Sequence, residues 1–310
     1  MDIKHVLEAK QFRDKSILKR LFREADRMER LSRSGRPPQS MKGKIMASLF
    51  YEPSTRTRFS FESAMARLGG SSIGTEDASH FSSFVKGESL PDTIRVVSRY
   101  ADLIVIRHPQ EGSARIAAGV SSVPVINAGD GPGQHPTQAL LDLYTIRKEK
   151  GRLDNLSVAM VGDLLYGRTV RSLAYLLAQQ AGTRLYFVSP EQLRMSPDIK
   201  SWLREKKIPF EETSRLEDVA PRVDILYMTR IQKERFASEA EYLKLKGCYV
   251  INRETLKLLR KDAIIMHPLP RVDEISPEVD SDPRAAYFRQ AENGLYIRMA
   301  LLNMILGDKS

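Results

Sequence analysis

Short apolar runs alternate along this chain with longer stretches in which apolar residues return every three or four positions. The runs Ile45–Phe50, Leu103–Ile106, Val123–Ile126, Val158–Val161, Leu185–Val188, Ile225–Met228 and Ile264–Met266 read as strands buried on both faces, because a half-exposed strand would alternate apolar with polar. The longer stretches read as helices. In Lys15–Ser32, the residues Ile17, Leu18, Leu21, Phe22, Ala25, Met28 and Leu31 share one face. Helical patterns also mark Phe59–Leu68, Asp92–Tyr100, Thr137–Glu149, Thr169–Gln180, Ile199–Lys206 and Ala285–Leu306. Strands alternating with helices predict an α/β fold: two doubly wound domains, each a mainly parallel sheet flanked by helices. Thr137–Lys150, closed by Gly151, predicts a helix joining the two halves, and the pattern restarts at Leu156–Gly162. The last helix is expected to return to the first domain. The domains are therefore expected at 1–135 plus 290–310 and at 136–289.

The unusual polar sequences mostly follow these strands, where ligands bind in open parallel sheets. Ser54-Thr55-Arg56-Thr57-Arg58 follows Ile45–Tyr51 and the turn Glu52-Pro53, and it precedes a helix. A helix N-terminus offers N–H groups and partial positive charge, and guanidinium forks beside it suit a compact dianion such as phosphate. Ser54 serves equally as an N-cap among solvated arginines. Arg107-His108 follows Leu103–Ile106, and a surface ion pair is the plainer account of Arg107. The loop Gly129–His135 leads into Pro136; its glycines permit close approach of backbone to a ligand, and His135 projects near a helix start beside Gln138. Gly162 to Arg168, Thr229-Arg230 and His267-Pro268-Leu269-Pro270 close other strands. Turns explain polarity after strands but not the recurrence of arginine and histidine there. His80–Glu88, with Ser82, Ser83, Lys86 and Gly87, reads as a polar loop of little period.

Composition narrows the chemistry. The 310 residues carry 49 basic and 39 acidic side chains, a formal charge of +10. Such a balance favours anionic partners, either nucleic acid or small acids. The charge is dispersed, and no aromatics interleave it, so no nucleic-acid partner is expected. Cys248 is the single cysteine, which excludes an intrachain disulfide or CxxC site and is expected to be a buried small hydrophobe. The five histidines are scattered, so no metal is expected. Gly162 to Arg168 lacks the G-x-G-x-x-G spacing of a dinucleotide loop. No apolar run suits a signal peptide or a membrane span, so the expectation is a cytoplasmic protein with no membrane partner.

Ser54–Arg58, Arg107-His108-Pro109, Gln134-His135-Pro136-Thr137-Gln138 and His267-Pro268-Leu269-Pro270-Arg271 together resemble the transcarbamoylases. The resemblance runs from the first helix to Asn293–Arg298. Thr229–Arg235 resembles the substrate loop of the aspartate-using branch; the ornithine-using branch typically has a cysteine in place of Pro268 and a Ser-Met-Gly loop. Leu165 departs from a lysine common in that family.

The resemblance implies transfer of the carbamoyl group of carbamoyl phosphate to the amine of L-aspartate, giving N-carbamoyl-L-aspartate and phosphate, an early step of pyrimidine biosynthesis. No cofactor is implied. Thr55, Arg107 and His135 are implied as donors to the carbonyl oxygen. Ser54, Arg56, Thr57, Ser82 and Lys86 are implied around the phosphate, with Arg56 and Lys86 also catalytic. Gln138 is implied at the carbamoyl NH₂. Arg168 is implied on the α-carboxylate, Arg230 with Gln232 on the β-carboxylate, and Lys86 also on aspartate. The backbone carbonyls of Leu269 and Pro270 are implied to orient substrate nitrogens. Family chains form homotrimers with shared active sites, the loop bearing Ser82 and Lys86 reaching a neighbour, and some join separate regulatory chains. A transcarbamoylase for another amino acid and a basic nucleic-acid-binding module are the competing readings.

Overall fold

A computed structural model of the chain describes residues 3–75, 87–231, 236 and 238–307. The chain divides into two compact units, residues 1–141 with 292–310 and residues 142–291. Both divisions fall inside helices: α5 (Pro136–Lys150) carries the chain out of the first unit and α10 (Tyr287–Leu306) brings it back. The expected cuts at 135/136 and 289/290 sit at or near the starts of these helices instead.

In the first unit, β1 (Ile45–Phe50), β2 (Ser71–Thr75), β3 (Leu103–His108) and β4 (Val125–Asp130) form a parallel sheet in the order β2-β1-β3-β4. Helices α1 (Lys15–Arg33), α2 (Thr55–Arg67), α3 (Leu90–Val97) and α4 (Ser113–Val120) accompany it. Helix α1 starts because Asp14 accepts the Ser16 N–H at 2.7 Å, and its apolar stripe buries Leu18, Leu21, Phe22, Ala25 and Met28. Ala47, Leu49, Ile104, Ile106 and Val125 of the sheet share one core cluster with Ala114 and Ala117 of α4.

The second unit holds β5 (Ser157–Val161), β6 (Arg184–Val188), β7 (Phe210–Thr213), β8 (Ile225–Met228) and β9 (Ile264–Met266), parallel in the order β7-β6-β5-β8-β9. Helices α6 (Arg168–Leu177), α7 (Pro197–Glu205), α8 (Glu239–Leu245) and α9 (Arg253–Leu258) lie among these strands in sequence.

Each sheet reverses direction of growth once. In the first unit the chain adds β2 on one side of β1 and then β3 and β4 on the other, so the switch lies between β1 and β3. In the second it adds β6 and β7 on one side of β5, then β8 and β9 on the other, so the switch lies between β5 and β8. Loops diverge at such a point and leave a crevice at the carboxyl ends of the strands.

Three sequence expectations are corrected. Strand β3 runs past Ile106 through Arg107 and His108, because Arg107 pairs with Phe50 and its carbonyl accepts the Tyr51 N–H at 2.8 Å. Strand β4 starts two residues later than expected and includes Gly129 and Asp130. Cys248 is exposed rather than buried, in the segment between α8 and α9. No helix among the described residues is long and apolar enough to cross a membrane.

Candidate active site

In the first unit, the chain leaves β1 and enters α2 with Ser54 at the N-cap, and the Ser54 side chain makes no capping hydrogen bond. Capping therefore does not explain the hydroxyl. Thr55 and Arg56 are exposed in the first turn and Thr57 is buried. Arg58 is engaged one turn on, its Nε 2.8 Å from Glu62 Oε1. Arg56 stands in the first turn, where N–H groups and the helix dipole favour an anion.

Across the switch, Arg107 is not a surface ion pair: its side chain is 14% exposed, with Nη2 3.4 Å from Glu52 Oε2 and Nη1 donating to the Ala128 carbonyl at 3.4 Å. A largely buried guanidinium keeps its charge only with such acceptors around it. The neighbouring His108 has a different role. Its Nδ1 accepts the Gln110 N–H at 3.1 Å and lies 2.9 Å from Ser113 Oγ. Burial pulls its pKa below the ordinary histidine value, with Glu52 and Asp130 opposing. It closes the turn after β3.

The loop after β4 is tied by a side chain that sequence reading passed over. Asp130 Oδ1 accepts Asn127 Nδ2–H at 3.1 Å and the Gln134 N–H at 2.8 Å, while Oδ2 accepts the Gly112 N–H at 3.0 Å. Gly131 has φ +48°, and a Cβ there would lie 2.4 Å from the Pro109 carbonyl oxygen. This glycine thus serves the chain's own close approach. The loop delivers His135, 4% exposed, to the start of α5, where its carbonyl accepts the N–H groups of Gln138 at 3.1 Å and Ala139 at 3.2 Å. Gln138 lies one turn on, buried.

In the second unit, the ends of β5 and β8 are locked together. Thr229 Oγ1 donates to the Val161 carbonyl at 2.8 Å, and a Cβ on Gly162 would lie 2.4 Å from the Thr229 carbonyl oxygen. From these ends the chain continues to Arg168, the first residue of α6, and to Arg230, both partly exposed. Between Gly162 and Arg168, Asp163 is fully buried and accepts the Tyr166 N–H at 2.9 Å, turning the chain toward the helix. After β9, Leu269 adopts a left-handed backbone, φ +53°, with its N–H donated to His267 Nδ1 at 2.8 Å. Pro270 follows it. Ser82, Lys86 and Gln232 lie outside the described residues. Among those described, no cluster of three or more histidine, cysteine or acidic side chains could hold a metal ion.

Residues 4–148 match the family model described as aspartate/ornithine carbamoyltransferase, carbamoyl-P binding domain, and residues 154–305 match its Asp/Orn binding domain. The chloroplastic aspartate carbamoyltransferase of Arabidopsis thaliana is 56% identical over 306 residues, covering 98% of this chain and 78% of that protein. The solved catalytic subunit of M. jannaschii aspartate transcarbamoylase is 53% identical with a TM-score of 0.91, each chain 98% covered. The Trypanosoma cruzi aspartate transcarbamoylase solved in complex with carbamoyl phosphate and aspartate is 40% identical with a TM-score of 0.92, covering 98% of this chain and 97% of that one.

Proposed function

Because the chain belongs to the aspartate/ornithine carbamoyltransferase family, we propose from that premise that its two switch points carry the two halves of one reaction. The chain is an aspartate carbamoyltransferase in activity: it transfers the carbamoyl group of carbamoyl phosphate to the amine of L-aspartate, giving N-carbamoyl-L-aspartate and phosphate. One observation carries the assignment of residues. Ser54–Thr57 and Arg107 stand at the β1/β3 switch, and Arg168 and Arg230 follow the β5/β8 switch.

The first unit is the carbamoyl phosphate unit in this reading. Ser54, Arg56, Thr57 and the first turn of α2 hold the phosphate, a dianion suited to N–H groups and a guanidinium fork. Thr55, Arg107 and His135 donate to the carbonyl oxygen, where negative charge builds as the amine attacks. Donors already oriented there lower the barrier without reorganisation. Gln138 takes the carbamoyl NH₂. In the second unit Arg168 takes the α-carboxylate and Arg230 the β-carboxylate, each able to pair in bidentate fashion. The carbonyls of Leu269 and Pro270 orient substrate nitrogens. Ser82, Lys86 and Gln232 complete the set in the roles that the resemblance gives them.

A homotrimer with shared sites belongs to the same proposal. It rests on the resemblance, and the exposed apolar side chains Phe59 on α2, Ile73 on β2, Val96 on α3 and Tyr100 just beyond α3 are ones a subunit interface would cover. The purified chain, given carbamoyl phosphate and a panel of amino acids, tests the substrate: phosphate release should depend on L-aspartate. Equal or faster release with ornithine would overturn the reading.

A further inference from the structure

The turn after β9 is held by a buried pair of side chains. His267 is 1% exposed and Glu274 is 5% exposed. His267 Nδ1 accepts the Leu269 N–H at 2.8 Å, so that nitrogen carries a lone pair and Nε2 carries the proton. Nε2 lies 2.8 Å from Glu274 Oε1 and donates to it. Glu274 Oε2 accepts the N–H groups of Val272 and Asp273, each at 3.2 Å. The two side chains therefore close the turn from both ends. Leu269 between them is left-handed, which a non-glycine residue keeps only where its surroundings fix it.

The pair is anchored from below. The His267 N–H donates to Gln290 Oε1 at 2.9 Å, Gln290 Nε2 donates to Asp142 Oδ1 at 2.6 Å, and the Tyr227 hydroxyl donates to Asp142 Oδ2 at 2.7 Å. Tyr227 belongs to β8, the strand that leads to Arg230. One buried polar chain thus links the strand leading to Arg230 with the turn carrying Leu269 and Pro270.

We infer that His267 and Glu274 are positioning residues for the amino-acid substrate: they fix the Leu269 and Pro270 carbonyls without touching substrate themselves. The inference rests on the reading that those carbonyls face the substrate nitrogens. His267 is a strut: its ring accepts one backbone N–H and donates to Glu274.

Replacing the imidazole separates this role from bulk packing. His267→Leu removes the acceptor at similar size, while His267→Asn keeps one for the N–H two residues on. His267→Leu removes both the acceptor for the Leu269 N–H and the donor to Glu274, and it should raise the KM for aspartate at least about tenfold. His267→Asn should recover most of the loss. Glu274→Gln loosens the imidazole from the other side and should raise the aspartate KM by a smaller factor, so the test does not depend on His267→Leu folding. A wild-type aspartate KM in Glu274→Gln, or His267→Leu no worse than His267→Asn, overturns the inference. Wild type and Arg230→Ala run beside them keep the two levels apart. If only Arg230→Ala suffers, the pair does not position substrate but the proposed function stands. If wild type does not turn over aspartate, the proposed function itself fails.

Discussion

Asp130→Ala removes a carboxylate that ties the loop delivering His135. Its two oxygens accept three hydrogen bonds, from Asn127 Nδ2, the Gln134 N–H and the Gly112 N–H, at 3.1, 2.8 and 3.0 Å. Hydrogen bonds to a charged acceptor contribute about 1.5–3 kcal/mol each, and two of these three are only part-buried. The combined loss should be about 3–4 kcal/mol of stability in the first unit. Asp130→Asn keeps one oxygen for Asn127 and Gln134 and turns a donor toward Gly112, so it should cost about 1–2 kcal/mol. The bonded Gln134 N–H is one residue from His135, so the folded Ala variant should also bind carbamoyl phosphate more weakly. Urea unfolding measures the first effect and calorimetric titration of the folded variants measures the second. If Asp130→Ala costs no more than Asp130→Asn, or binds carbamoyl phosphate like wild type, the loop is not held in this way.

Arg230→Ala should impair aspartate use while sparing carbamoyl phosphate binding, at a cost of about 2–5 kcal/mol for a lost charge-assisted pair; unchanged aspartate kinetics would refute the β-carboxylate assignment. A molecule joining a phosphonate to N-acylated aspartate should bind far more tightly than either substrate, because a second association cost is avoided; calorimetry giving no more than aspartate's own affinity would contradict this. Lys86→Ala and Arg56→Ala chains should each be nearly inactive, yet regain partial activity when dissociated and reassembled together. No recovery in demonstrated mixed oligomers would show that Lys86 acts in its own chain. Burial pushes the Glu274 carboxyl up, but hydrogen bonds from His267 and from the turn's N–H groups outweigh it and hold the pKa below the ordinary 4.5. A depressed folded pKa stabilises above the unfolded value and is lost as pH falls through the folded one, so acid unfolding should show a component below pH 4.5 that Glu274→Gln removes.

The buried strands were legible because strands covered on both faces need unbroken apolar runs: Ile45–Phe50, Ile225–Met228 and Ile264–Met266 are β1, β8 and β9 as expected, β9 included although it lies at a sheet edge. The exposed edge strands β2 and β7 were not. Ser71–Thr75 is almost wholly exposed and carries Ser-Ser-Ile-Gly-Thr, and Phe210–Thr213 is half acidic, so neither shows an apolar signal. Helix α4, built from small residues such as Ala114 and Ala117, was missed for lack of a marked stripe. Arg107 and His108 read as following β3 because polar residues end the apolar run, although the backbone ladder continues. For the candidate site, residue types at strand ends were visible, and their joint spacing carried the resemblance. The braces were not visible. Asp130 acts on Gly112, 18 residues away, and Glu274 on His267 and on backbone N–H groups. Such partners exist only once the chain has turned, and no local pattern announces them.

The central claim is transfer, not mere cleavage, of a carbamoyl group. Carbamoyl phosphate labelled at its carbonyl carbon, incubated with the purified chain and L-aspartate, tests it directly by product identification. The label should appear in N-carbamoyl-L-aspartate, one for one with phosphate released. Label recovered as bicarbonate, or transferred to ornithine in preference to aspartate, would contradict it.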